Sequence, residues 1–134
     1  MEAELLERLR LDREEDVMRV RQAARRWAID LGFGLVDQTK IVTAVSELAR
    51  NAFVYGGGGY VTAEITHVRE RSGLRITFED QGPGIADLEL AMRDGYGTGE
   101  GLGLGLGGAR RLMHEFDIRS EVGKGTTVTV TRWA

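Results

Sequence analysis

The sequence contains no cysteine, only one proline, and no apolar run as long as a membrane-spanning helix. Without cysteine, disulfides, thiol nucleophiles and cysteine-based metal sites are excluded. The missing apolar run, together with an N-terminus rich in Glu and Arg, argues against a membrane span and a secretory signal peptide, and predicts a cytoplasmic protein. Net charge is also small, −3 at pH 7, so the chain lacks the electrostatic footprint of a nucleic-acid-binding protein.

The 134 residues are 42% hydrophobic and 29% charged, which is ordinary for a globular protein. A chain of this length buries roughly two-thirds of its unfolded surface on folding. Neither an internal repeat nor a linker interrupts it. We therefore expect one domain over residues 1–134.

The first half of the chain has mainly helical periodicity. Apolar residues at helical spacing predict helices over residues 14–31 and 37–55, the first capped by Asp12 and ended by Gly32. Residues 2–11 fit the helical and the strand period only in part, so both remain open for this segment.

In the second half the period changes. Alternating apolar and polar residues predict two strands, around residues 61–66 and 74–79, joined by a turn at 71–73. Short helices are expected at 87–93 and 108–116, and a final hairpin is expected to pair 118–122 with 126–133. Helices followed by a sheet that they cover on one face make the predicted fold class α+β, in two layers.

Residues 95–108 are the most unusual stretch, because eight of these fourteen positions are glycine. Bare backbone N–H groups that lead into a helix are suited to holding phosphate. A flexible surface loop is the alternative, but Leu102, Leu104 and Leu106 argue against a mere linker. The spacing of Gly103, Gly105 and Gly108 also fits a dinucleotide fingerprint, which we reject because no strand precedes it.

Glu47 and Asn51 are four residues apart on the second predicted helix, so their side chains lie on one line beside the apolar stripe. Such a pair is commonly only a polar helix surface. Asn51 also offers a neutral oxygen to Mg²⁺, a metal that usually keeps water and phosphate oxygens as its other ligands. A carboxylate such as Glu47 beside that metal is placed to take a proton from a hydroxyl that attacks phosphorus.

Asp80 starts the sequence DQGPG, which directly follows a predicted strand. These residue types form turns readily, so a plain turn is one interpretation. In the other, Asp80 accepts a hydrogen bond from an exocyclic amine, while Gly82 and Gly84 let a flat ring approach the backbone. His67 and His114 have no partners at metal-ligand spacing, and we interpret them as ordinary strand and helix residues.

In their order along the chain, four short motifs resemble those of the GHKL ATPase family, the gyrase, Hsp90, histidine kinase and MutL group with the Bergerat fold. They are Glu47-x-x-x-Asn51, Asp80-x-Gly82-x-Gly84, Gly101-x-Gly103-x-Gly105 and Gly125-Thr126. This resemblance spans most of the chain. It implies a mixed, mainly antiparallel sheet with helices on one face, and it implies ATP and Mg²⁺ as cofactors.

Roles for individual residues follow from the resemblance. It implies that Glu47 is the catalytic carboxylate, Asn51 the Mg²⁺ ligand, and Asp80 the partner of the adenine amine, with Thr126 supporting Asp80 from the last strand. The remaining nucleotide-binding residues it implies are Gly82 and Gly84 beside the base and Gly101, Leu102, Gly103, Leu104 and Gly105 around the phosphates. Glu100 and the glycine run 56–59 depart from the family pattern.

Within the family, the chain offers neither the further domain of gyrase-type proteins nor the phosphoacceptor hairpin of histidine kinases. We therefore expect the stand-alone group, and within it the sequence resembles RsbT-type switch kinases of the stressosome. That implies phosphorylation of a serine on a STAS-domain protein, followed by a change of partner to a phosphatase, in stress-response sigma regulation. Two alternatives stay open: an anti-sigma factor of the SpoIIAB or RsbW type, and a nucleotide-gated protein-binding module with negligible turnover.

Overall fold

A computed structural model describes residues 2–92 and 106–134. This part of the chain forms five strands and four helices. In chain order they are β1 (Glu2–Leu11), α1 (Glu14–Asp30), α2 (Leu35–Val54), β2 (Gly59–Val68), β3 (Arg71–Asp80), α3 (Leu88–Ala91), α4 (Leu106–Leu112), β4 (Glu115–Glu121) and β5 (Gly125–Trp133). Among the described residues, no helix has the length and apolarity needed to cross a membrane.

The strands form one sheet in the order β1-β2-β3-β5-β4, and each neighbouring pair is antiparallel. Register places Val61, Phe78 and Val128 side by side on one face, all buried. Because side chains alternate between the faces of a strand, the threonines that neighbour these three residues in sequence lie on the opposite face. One face therefore carries the core and the other is polar, which confirms the predicted α+β fold with helices on one face.

Both long helices bury one apolar stripe against the core. Their periodicity places an apolar residue on the same side at every third or fourth position. The fully or nearly fully buried members are Val20, Ala24, Trp27 and Ala28 of α1, with Ile41, Ala44, Val45, Leu48 and Ala52 of α2. α1 ends close to the predicted Gly32, whose positive φ of 84° suits glycine at a helix end.

β1 resolves the alternative left open for the first residues. Leu9 pairs with Val61 of β2, and Leu11 pairs with Gly59 and is fully buried. The segment fitted both periods, and it is the hydrogen-bonding edge of β2 that makes it a strand. Local sequence contains no information about that edge.

The cap of α1 differs from the prediction, which placed it at Asp12. Asp16 performs this role, because its Oδ2 accepts from the backbone N–H groups of Asp12 and Arg13 at 2.9 and 3.0 Å. The helix itself begins at Glu14, as predicted, with Arg13 in the N-cap position. A carboxylate inside the first turn can reach back to the free N–H groups that precede it.

The turn between β2 and β3 also differs from the prediction. It lies at Arg69 and Glu70, where Arg69 has a positive φ of 58°, and not at residues 71–73. Gly73 misled the interpretation because it belongs to β3. A Cβ at this position would lie 2.8 Å from the Trp133 ring, so the glycine serves close packing and not a turn.

α4 is shorter than predicted and ends at Leu112, so that Phe116 belongs to β4. Arg132 of β5 fixes this end: its Nη1 donates to the Leu112 carbonyl and its Nη2 to Asp37 of α2, both at 2.8 Å. His114 follows the helix and does not lie in it as expected, and its Nδ1 accepts from a backbone N–H of β5. These contacts join α4, α2 and β5 at one end of the sheet.

Candidate functional site

A cavity opens where α2 ends, beside the loop that follows β3. It brings together four of the predicted site residues, Asn51, Asp80, Gly84 and Thr126. The other described residues that line it are Leu48, Ala52, Tyr55, Gly56, Phe78, Pro83, Ile85, Leu106 and Val128. A mostly apolar wall with a few convergent polar groups is typical of a small-molecule site.

Asp80 is the last residue of β3 and pairs with Thr126 of β5. Its Oδ1 accepts two backbone hydrogen bonds, from the N–H of Gly82 at 2.9 Å and from the N–H of Thr126 at 3.2 Å. Both of these bonds go to the same oxygen, and Oδ2 receives neither of them. The strand register and the turn together orient this carboxylate.

Burial raises the pKa of Asp80, and the hydrogen bonds from Gly82 and Thr126 offset that effect in part. Between the ordinary value of 3.8 and the raised value in the fold, the folded protein binds more protons at this group than the unfolded chain. Stability therefore falls as the pH rises through that window. At neutral pH the ionised Asp80 lowers the stability of the ligand-free protein.

This gives a prediction for Asp80→Asn. The amide oxygen can keep the bonds from Gly82 and Thr126, while the ionisation that opposes folding is gone. We expect the ligand-free variant to melt at a higher temperature than the parent protein at pH 7, and the difference to shrink as the pH falls towards 3.8. Thermal unfolding followed by circular dichroism at both pH values measures this, and equal melting at pH 7 would contradict it.

Gly56 was not predicted as a site residue, although it starts the run 56–59 that departs from the family pattern. A Cβ on Gly56 would lie 2.6 Å from Asp80 Cβ and 2.5 Å from its Oδ2. A Cβ on Gly82 would in turn lie 2.6 Å from Gly56 Cα. These two glycines therefore let the end of α2 lie directly against the carboxylate. Local sequence gives no signal for such a contact, because it joins residues far apart in the chain.

Gly84 has a positive φ of 77°, which L side chains rarely adopt, and a Cβ there would collide with the Glu121 carbonyl. Gly125 has a φ of 90°, and a Cβ there would collide with the carbonyl of Asp80. The glycines around Asp80 thus fit the backbone itself, in addition to any room that they leave for a ligand.

Glu47 and Asn51 lie one turn apart on α2, and both are half-buried. Asn51 lines the cavity with Asp80, whereas Glu47 is not among the described residues that line it. No group of three His, Cys, Asp or Glu side chains suited to a metal ion occurs within residues 2–92 and 106–134. The predicted phosphate-binding residues Gly101, Leu102, Gly103, Leu104 and Gly105 lie outside the described residues.

Comparison with protein families identifies a match over most of the chain. The model described as histidine kinase-, DNA gyrase B- and HSP90-like ATPase matches residues 36–133. This span includes α2 except its first residue, the residues that line the cavity, and four of the five described strands.

Curated relatives cover almost the whole chain. The serine/threonine-protein kinase RsbT of Bacillus subtilis (strain 168) is 47% identical over 93% of this chain and 94% of its own length. An anti-sigma F factor of Thermoanaerobacter sp. (strain X514) is 31% identical over 92% of this chain and 89% of its own length. An anti-sigma F factor of Geobacillus sp. (strain WCH70) is 32% identical over 92% of this chain and 86% of its own length.

Among solved structures, the chain is similar to a crystal structure of the RsbU and RsbW domains of a Mycobacterium tuberculosis protein. The TM-score is 0.62 at 24% identity, over 98% of this chain and 32% of that one. At this identity the similarity supports the fold alone.

Proposed function

The chain belongs to the histidine kinase-, DNA gyrase B- and HSP90-like ATPase family, and we propose that it is an ATP-dependent serine/threonine-protein kinase of the RsbT type. Membership of this family was predicted from four short motifs and is confirmed. The 47% identity to a curated serine/threonine-protein kinase, over 93% of the chain, likewise confirms the predicted class of enzyme.

The main observation in support of an ATP site is that Asn51, Asp80 and Thr126 line the same cavity. They come from three elements, the end of α2, the end of β3 and the start of β5. In the proposed arrangement the purine lies between the apolar walls, its amine donates to Asp80 Oδ2, and the phosphates extend past Asn51. ATP binding is what the family match supports, and these individual roles are our proposal.

The residues present fit Mg²⁺ as a cofactor carried by the nucleotide. Mg²⁺ usually keeps several waters and binds phosphate oxygens with only one or two protein ligands. The half-buried amide of Asn51 at the cavity wall would be such a ligand. Bound there, the ion would neutralise charge on the phosphates, and Asn51 would position it.

Glu47 is proposed to act on the acceptor hydroxyl. It lies one turn from Asn51 and is not among the described residues that line the cavity, which supports a position beside the phosphates and not within the purine pocket. There it can orient a serine hydroxyl of a protein substrate and accept its proton as the phosphoryl group is transferred.

We propose a serine of a STAS-domain protein as the acceptor, with release and a change of partner to a PP2C-type phosphatase after transfer. The anti-sigma F relatives, at 31–32% identity, support the alternative of sigma-factor sequestration. Both belong to partner switching between proteins, and they differ in whether the bound partner is modified.

The test is incubation of the protein with labelled ATP, Mg²⁺ and a STAS-domain protein encoded beside it, with sigma factors assayed in parallel. Label on a serine of the STAS protein, without sigma capture, is the expected result. Capture of a sigma factor without label would support the anti-sigma alternative. Tight nucleotide-dependent binding of either protein without transfer would leave only a binding module.

Asp80→Asn tests the purine assignment. The amide NH₂ replaces Oδ2 at the cavity and faces the adenine amine donor to donor, which costs about 1–3 kcal/mol. We expect ATP affinity to fall at least several-fold, while the affinity for inosine triphosphate, whose purine has a carbonyl in place of the amine, falls less. Calorimetric titration measures both affinities. Unchanged ATP affinity would remove Asp80 from the site.

A further inference from the structure

Ser120 is a half-buried residue of β4 that pairs with Thr126 of β5. Its hydroxyl has three close polar neighbours. The Ile85 N–H donates to Ser120 Oγ at 2.7 Å, the Gly125 carbonyl lies 3.2 Å away, and Thr126 Oγ1 lies 2.7 Å away. Ser120 therefore bonds to both residues of the Gly125-Thr126 motif and to the loop that forms one cavity wall.

Counting protons decides the direction of these bonds. Serine has one proton to donate and two lone pairs to accept with. The Gly125 carbonyl can only accept, so it takes the Ser120 proton when all three contacts are satisfied. Thr126 must then donate its own proton to Ser120, whose other lone pair is taken by the Ile85 N–H. In the reverse arrangement the Gly125 contact is lost.

This arrangement fixes what Thr126 presents to the cavity. With its proton directed to Ser120, the Thr126 hydroxyl offers only lone pairs, and Asp80 is likewise an acceptor. Two acceptors suit an amino group with two N–H bonds and repel a carbonyl oxygen. A buried polar group that meets a partner of the wrong kind loses the hydrogen bond and the compensation for burial.

We propose that Ser120 is a specificity-determining positioning residue, which holds the Thr126 hydroxyl as an acceptor and so makes the pocket select a 6-amino purine over a 6-oxo purine. This inference rests on the proposed ATP site. Ser120 acts through Thr126, and it also holds Ile85 at the cavity wall.

Ser120→Ala tests the proposal with ATP and inosine triphosphate as probes. Without Ser120 as its acceptor, the Thr126 hydroxyl can turn and donate to the 6-oxo group. Loss of the bond to Ile85 should weaken the binding of both nucleotides alike. The ratio of the two affinities therefore isolates the role of Thr126. We expect this ratio to shift about tenfold towards inosine triphosphate, the size of one ordinary hydrogen bond.

Ser72→Ala is the matched control, since it removes a strand hydroxyl that bonds to His67 at the other end of the sheet. It should leave the ratio at the parent value. Thr126→Val provides a second route, because it removes the hydroxyl itself. In that background Ser120→Ala should shift the ratio no further, and circular dichroism checks that each variant is folded.

A Ser120→Ala protein that loses affinity for both nucleotides equally would overturn the proposal, since Ser120 would then only support the fold. A further shift in the Thr126→Val background would overturn it as well. Failure of the parent protein to bind ATP would remove the proposed function, and this inference with it. If the parent protein prefers ATP and Ser120→Ala leaves the ratio of the two nucleotide affinities unchanged, only the proposed role of Ser120 is wrong, and the proposed ATP site stands.

Discussion

Glu47→Ala is expected to bind Mg-ATP nearly as tightly as the parent protein and to lose phosphoryl transfer by roughly 10²–10⁴-fold. Glu47 is not among the described residues that line the cavity, and its proposed role concerns the acceptor hydroxyl, so we expect its loss to leave nucleotide binding nearly intact. The serine hydroxyl does need a group that orients it and takes its proton. Nucleotide titration and the rate of serine phosphorylation measure the two effects separately.

Asn51→Ala is the matched variant on the same line of α2. Asn51 lines the cavity and is proposed to hold the metal, so binding and transfer should fall together. Both side chains are half-buried at the border of the buried stripe of α2, and the fold should survive either change. Phosphorylation at the parent rate in Glu47→Ala would falsify its catalytic role and leave an ordinary polar helix residue.

Gly56→Ala is expected to weaken ATP binding by about 30-fold. The new methyl group would lie 2.5 Å from Asp80 Oδ2, so the carboxylate or the end of α2 must move. The overpacking lowers the stability of the fold by about 1–3 kcal/mol, and displacing Asp80 from the amine costs about 1–3 kcal/mol of binding free energy. The backbone of Gly56 does not have a positive φ, so the effect comes from the contact and not from strain.

Gly57→Ala serves as the control for this prediction. Its φ is 76° and a Cβ there would meet nothing within 4 Å, so alanine strains the backbone without touching the site. We expect a loss of about 1–2 kcal/mol in stability and an ATP affinity near that of the parent. Calorimetric titration and thermal melting of both variants measure the difference. Equal ATP affinities in the two would show that the Gly56 contact does not position Asp80.

Patterns within a single element made most of the fold predictable. The apolar stripes of α1 and α2 and the alternation in β2 and β3 reflect one buried face, which every such element must have. An alternative stayed open, and a turn was misplaced, where a distant partner decides the structure. β1 is a strand because β2 offers it an edge, and Gly73 lies in a strand because Trp133 packs on it.

The same division holds for the candidate site. Asn51, Asp80 and Thr126 belong to short motifs whose spacing is visible in the sequence, and the structure brings them to one cavity. Gly56 lies against Asp80, 24 positions away, and Ser120 joins the neighbouring Gly125-Thr126 motif to Ile85, 35 positions away. A lone glycine or serine gives no sign of such a role, because its meaning depends on what the fold places next to it.

The position of β5 in the sheet determines when, during translation, the nucleotide pocket can form. Among the described strands it is translated after the other four, yet it lies inside the sheet, between β3 and β4. A nascent chain without residues 125–133 has no Thr126 to donate to Asp80 and no strand to join β4 to the rest of the sheet. The nucleotide pocket is therefore completed only after translation of β5, and a ribosome-bound chain that stops short of it has no finished site to occupy.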